Sequence, residues 1–244
     1  MADDDRRDEK MPPLGPTQRD RAVSAVRALS GAVPYIGSIL SEVIGQLIPE
    51  QRLARLEEYV TKLCERLSSI ERGELTDKLK DPIKIDLFEE GAFQTARSLS
   101  PERRDYIASI VARGISGGEK EEIEAKRLLG LLRELADDQI IILASYLGKN
   151  QTDVFRDQHE AVLTPEAAHM QSSRDDLDRS ILYETARQQL IRLGLLRPRF
   201  KKLKKGDLPE FDEKTGMMKA QGADITPLGR LLLRCAGLAN EEDV

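Results

Sequence analysis

The chain has 244 residues, 40% of them hydrophobic and 33% charged, with a net charge of −5. That length supports one large domain or two smaller ones, each with a real core. The acidic balance excludes a global field drawing the chain onto nucleic acid or an anionic membrane, so any such contact must use a local patch. There is no Trp, and aromatic residues make up only 4%, which counts against stacking platforms for single-stranded nucleic acid. Cys64 and Cys235 are the only cysteines and lie far apart, the pattern of neither a disulfide framework nor a zinc pair. The start Asp3-Asp4-Asp5 is acidic where a secretory signal would be basic and then apolar. A reduced, cytoplasmic location is therefore expected.

Residues 1–16 are charged and broken by prolines, which predicts a disordered tail. Helical patterning begins near Thr17 and meets Pro34, where a boundary or kink is expected. Ile36, Ile39, Leu40, Val43, Ile44 and Leu47 then form an amphipathic stripe. On its other side Gly37, Ser41 and Gly45 recur every fourth residue, a spacing that lets a second backbone approach closely. After Pro49, Leu53, Leu56, Val60, Leu63, Leu67 and Ile70 step by three and four, a heptad seam that Gly73 is expected to stop. So narrow a stripe predicts docking against one or two helices, within or between chains, and not burial in a deep core.

Four more helices follow: one after Asp81-Pro82, one from Ser100-Pro101, one over about 119–135, and one from Asp137 or Asp138. Residues 149–174 read as a polar connection with a short helix near Thr164-Pro165-Glu166. A helix resumes near Asp175, running through Leu177, Ile181, Leu182, Ala186, Leu190 and Leu193. It closes on Leu193-Gly194-Leu195-Leu196. Wing strands are expected over Arg197 to Lys205 and Leu208 to Ala223, turning at Asp212 to Gly216, before a capped helix from Thr226-Pro227. Helix, two strands and a closing helix is the order of a winged-helix unit.

Arg197, Arg199, Lys201, Lys202, Lys204 and Lys205 make the strongest basic cluster of the chain. Such a wing can meet phosphates, releasing counterions. Asp207, Glu210, Asp212 and Glu213 offset it, and the preceding helix is near neutral, whereas a groove-reading helix carries excess positive charge. A protein-docking wing is the preferred reading and DNA binding the alternative. The 31–48 segment, interrupted by Glu42 and Pro34, falls short of the ~20 apolar residues of a membrane span. Buried helix packing is expected of it, with membrane or self-association contact as the alternative. Catalytic signals are weak. His159 and His169 stand off helical i, i+4 spacing and away from cysteine. Gly114 to Lys120 lacks the order of a phosphate loop, and no nucleophile has an identifiable base. No metal, cofactor or small-molecule substrate is called for.

Two groups of motifs carry a family likeness: Val33-Pro34-Tyr35-Ile36-Gly37 through Ile48-Pro49 with the 52–58 stretch, and Leu190 to Leu196 with Ile225-Thr226-Pro227-Leu228-Gly229-Arg230 and Cys235. In these the chain resembles the bacterial abortive-infection alpha-like proteins. The resemblance implies a helical body, a winged-helix-like end and a setting in phage defence, with no catalytic residue to carry over.

The expectation is thus a mainly α protein: a tail over 1–16, a helical domain over 17–148, a linker over 149–174, and a winged-helix-like region with a small β-hairpin over 175–244. It is expected to be non-enzymatic, with protein, self or other, as its partner. Helix–helix contact is assigned to Gly37, Ser41, Gly45, Leu53, Leu56, Val60, Leu63 and Leu67, and partner contact to the basic wing. Nucleic acid and membrane remain the alternative partners.

Overall fold

The structure, a computed structural model, describes residues 50–163, 173–203, 208–211, 216 and 218–240. Gly37, Ser41 and Gly45, the 31–48 segment, the helix expected at 164–166, Lys204 and Lys205 lie outside the described residues, as do the side chains of Leu53 and Arg72.

The described chain is mainly helical, with one small antiparallel hairpin near its end. Helices α1 (Glu50–Arg66), α2 (Arg72–Lys78), α3 (Pro82–Arg97), α4 (Pro101–Ser116), α5 (Glu119–Glu134) and α6 (Asp137–Ala144) form the body. Short turns α7 (Asp153–Gln158) and α8 (Glu160–Leu163) lead to the long α9 (Arg174–Arg192). Strands β1 (Leu196–Phe200) and β2 (Ala220–Ile225) and helix α10 (Pro227–Cys235) complete the fold.

Local chemistry sets the helix starts. Asp81 and Ser100 accept from the backbone N–H groups of Ile83 and Arg103, with Pro82 and Pro101 in the first turn, where the missing donor costs nothing. α4 is the hub. It packs against α1, α3 and α5 and also receives α10. Ile107, Ala108, Ile110, Val111, Ala112 and Ile115 are buried along it. Two expectations change here. α1 ends at Arg66, and Gly73 lies inside the separate α2, because the chain turns at 67–70 so that Leu67 can enter the core. The seam residues Leu56, Val60, Leu63 and Leu67 are all fully or nearly fully buried, together with Tyr59. Their partners are α3 and α4 of the same chain. The stripe is a core face and leaves no seam for a second copy.

One ion pair is taken out of water. Lys84 Nζ lies 2.6 Å from Glu122 Oε1, with the two side chains only 7% and 8% exposed. The same ammonium donates to the carbonyls of Ile115 at 3.3 Å and Gly117 at 2.9 Å. Lys84 therefore ties α3 to α5 while satisfying carbonyls at the end of α4. Removing one partner strands a charge, which costs about 3–5 kcal/mol. Glu122→Gln is expected to lower stability on that scale in denaturant unfolding, and Lys84→Met with Glu122→Leu to recover much of it. Equal losses in the single and double variants would rule out pairing as the cause.

A second network is partly solvated. Glu58 takes Arg104 at 2.7 Å and Lys62 at 3.3 Å; Asp105 takes Lys62 at 3.1 Å and Arg66 at 2.9 Å. Burial pushes both carboxylates up, but the hydrogen bonds from these cations outweigh it and leave Glu58 below its ordinary 4.5 and Asp105 below its ordinary 3.8. A lowered folded pKa stabilises the fold above the ordinary carboxylate range and is lost as pH falls through the lowered values. The melting temperature should drop as pH is taken from 4.5 through 3.8 and below. Glu58→Gln with Asp105→Asn should flatten that dependence; an unchanged profile would assign the acid sensitivity elsewhere.

Candidate docking surface at the C-terminal hairpin

The hairpin is held at its root by the two motifs singled out in the sequence. Leu193-Gly194-Leu195 ends α9 with a helix stop in which Gly194 N–H donates to Ile191 O at 3.0 Å and Leu195 N–H to Leu190 O at 2.9 Å. Gly194 sits at φ 72°, a left-handed position that suits glycine. The carbonyl of Leu195 then accepts from the N–H of Thr226 at 3.0 Å. The one hydrogen of the Thr226 hydroxyl is shared between Gly194 O at 2.7 Å and Leu195 O at 3.1 Å, and its oxygen accepts from Gly229 N–H at 3.1 Å, capping α10. A Cβ on Gly229 would stand 2.5 Å from Leu195 O and 2.9 Å from Ile225 Cγ1, so only glycine lets α10 approach this closely.

From that root the ladder pairs Leu196 with Ile225, Arg197 with Asp224, Pro198 with Ala223 and Arg199 with Gly222, with an irregularity at Arg199/Phe200. β2 begins at Ala220, later than the expected strand. Residues 208–211 and 218–219 pair with each other instead, through the Phe211–Met218 bridge and the Lys219 N–H bond to Glu210 O at 2.8 Å. Pro209 cannot donate to a ladder, and Gly216 turns the chain at φ 66°. The arm thus has two parts. The inner ladder is anchored by Leu195, Leu196, Ala223 and Ile225, which join the core cluster running from Leu56 to Ala239. The outer part reaches beyond that core.

The outer arm exposes apolar side chains among charged ones. Leu208 is 87% and Phe211 60% exposed, with Phe200, Leu203 and Met218 also open to solvent. A cavity of ≈410 Å³ lies among Leu203, Leu208, Pro209 and Met218, with Lys201 and Lys219 beside it. Lys202 is exposed, and Lys201 is held loosely by Glu210 at 3.7 Å.

The root carries charge. A second concavity, ≈640 Å³, is lined by Arg187 of α9, Arg197 and Arg199 of β1, and Arg230 of α10, with Tyr146 and Asp224. Arg199 meets Asp224 at 3.5 Å. Arg187 donates to Tyr146 Oη at 3.3 Å and to Glu184 at 2.8 Å. Burial opposes the Arg187 charge, but Tyr146 and Glu184 outweigh it and raise its pKa. Of the wing residues expected to act together, Arg197 and Arg199 face this concavity and Lys201 and Lys202 belong to the outer arm. Arg187 and Arg230 fall outside the expected set, because they lie on different helices and no spacing links them.

α9 departs from expectation in its first half. Ala186 and Leu190 are buried, but Leu177, Ile181 and Leu182 are exposed, the last two at 62% and 67%. Packing begins only where α6 and β1 meet the helix. Among the described residues no His, Cys, Asp or Glu side chains gather in threes as metal ligands would, and no helix is long and apolar enough to cross a membrane. His159 lies against Phe155 with the rings tilted by 56°, their centres 4.6 Å apart. No protein-family model, curated protein or solved structure matches the chain.

The root makes a sharp demand. Gly229→Ala should cost about 1–3 kcal/mol through forced overpacking, and Thr226→Val about 1 kcal/mol or more through removal of the cap. Urea unfolding of the full chain reads both. Wild-type stability in Gly229→Ala would show that the Leu195 contact is slack.

Proposed function

We propose that this chain is a non-enzymatic interaction protein that self-associates, the apolar outer arm of one copy seating on the exposed first turns of α9 in another. One observation carries the reading: two exposed apolar surfaces on the same chain have opposite charge. Among the described residues of 200–219, Lys201, Lys202 and Lys219 stand against Glu210, whereas 174–184 holds four Asp or Glu against two Arg. Leu208, Phe211 and Met218 on one side and Leu177, Ile181 and Leu182 on the other provide the apolar contact. Burying such side chains gains about 25 cal/mol per Å², and opposed charges at the rim set orientation more than affinity. A reciprocal contact gives a two-fold dimer; a head-to-tail one gives a ring or a filament.

The likeness to abortive-infection alpha-like proteins supports bacterial phage defence as the setting, with the assembled form as the active species. Plaque counts on cells carrying the wild type or an arm variant address that setting.

Light scattering on the purified full chain tests the association. The wild type should exceed the mass of one chain, and Leu208→Asp with Phe211→Asp should return it to one chain while the helical signal holds. Ile181→Asp with Leu182→Asp, on the opposite surface, should do the same. A wild type that stays monomeric at all concentrations would sink the proposal. A dimer untouched by both variant pairs would place the contact elsewhere.

A further inference from the structure

We infer that the arginine-lined concavity at the hairpin root is a binding site for a phosphoryl-bearing ligand. This goes beyond self-association and uses different residues. Four guanidinium groups from α9, β1 and α10 line ≈640 Å³, and Asp224 is the one carboxylate in the lining. Asp224 stands opposite Arg197 in the ladder and 3.5 Å from Arg199, so one carboxylate serves two cations of β1. A single phosphoryl group brings three acceptor oxygens and about −1.5 to −2 of charge near neutral pH. Each of those oxygens can accept more than one hydrogen bond, so even one phosphoryl group can bridge guanidinium forks from separate elements.

The side chains are of the type that this ligand wants. Guanidinium presents a planar fork that fits phosphate oxygens bidentately, where an ammonium offers only a point charge. Arg199 reaches toward the strand opposite, meeting Asp224 at 3.5 Å and passing over Gly222, its Nη2 3.2 Å from where a Cβ there would be. Arg187 is braced from behind by Glu184. The Tyr146 hydroxyl accepts from Arg187 Nε, which leaves its own hydrogen to donate to a ligand oxygen. The concavity thus gathers guanidinium groups and a hydroxyl donor on elements joined by the Leu195–Thr226 contact.

The shared chemistry has two sources, a small oligophosphate or the backbone of nucleic acid, and two probes separate them: inorganic triphosphate followed by calorimetry, and a labelled short DNA duplex followed by fluorescence anisotropy. Both use the full chain at low salt. At least one probe should bind, more weakly as salt rises. Arg197→Gln with Arg199→Gln should weaken that binding by about tenfold or more, and should make the salt slope shallower by about one for each phosphate that the variant no longer touches. Both residues are exposed, so the melting temperature should hold. Lys126→Gln, at an exposed Lys that pairs with Asp86, and the Leu208→Asp/Phe211→Asp arm variant should bind as the wild type does. Duplex binding that triphosphate cannot displace indicates a backbone; triphosphate binding that displaces the duplex indicates a compact ligand. Failure of both probes, or equal binding by the double arginine variant, overturns the site. Self-association stands or falls separately on the mass measurement.

Discussion

A single backbone carbonyl, that of Leu195, fixes where everything on the functional face sits. It accepts the N–H of Thr226 at 3.0 Å, joining the strand that leaves α9 to the turn that enters α10. The Thr226 hydroxyl adds to the joint with its one hydrogen, which lies between Gly194 O at 2.7 Å and Leu195 O at 3.1 Å. The chain between these points can then vary widely without moving the ends of the arm. Because Leu190, Leu195, Leu196, Ile225, Leu232 and Leu233 belong to the same buried cluster as α4, the arm's root is as firmly seated as the body. Among the described residues, none of the outer half beyond Phe200 joins that cluster. The division between root and outer half follows from where the buried cluster stops.

The two motifs legible in the sequence are the two halves of this joint. Leu193-Gly194-Leu195 reads as a helix end because glycine tolerates the left-handed turn. Thr226-Pro227 reads as a helix start because threonine caps and proline needs no donor. What the letters do not show is that these halves touch each other, since the whole arm separates them and hydrogen bonds of that range leave no periodicity. Gly229 illustrates the gap. Its requirement comes from a carbonyl far away in sequence, and a glycine in a short helix gives no hint of what approaches it. The arginine concavity is half legible for the same reason: Arg197 and Arg199 alternate along one strand, while Arg187 and Arg230 join them only through tertiary packing.

The apolar patterns carry a parallel lesson. Leu56, Val60, Leu63 and Leu67 have heptad spacing, and that spacing correctly marks a buried helical face. Spacing reports that a face is covered; it does not report by what. Here α3 and α4 cover it, and Tyr59, off the seam, is buried as deeply because α1 is embraced from two sides. Leu177, Ile181 and Leu182 show the converse. They share a helix with Ala186 and Leu190 and read as one continuous stripe, yet they remain open because α9 is longer than the surface it packs on. Length mismatch between a helix and its support is invisible to residue periodicity.

Charge is distributed along the same division. The body settles its cations and carboxylates against each other: Lys84 on Glu122, Arg104 on Glu58, Arg103 on Asp137. At the hairpin root four arginines line one concavity with Asp224, and Glu184 holds Arg187 from behind. A chain of net charge −5 has carboxylates to spare, so this gathering is not forced by composition. An acidic residue at 222 or 223 would have countered it within the ladder, but Gly222 and Ala223 stand there. An anion entering the concavity would meet guanidinium groups that the fold has already gathered, on elements that the Leu195–Thr226 contact joins.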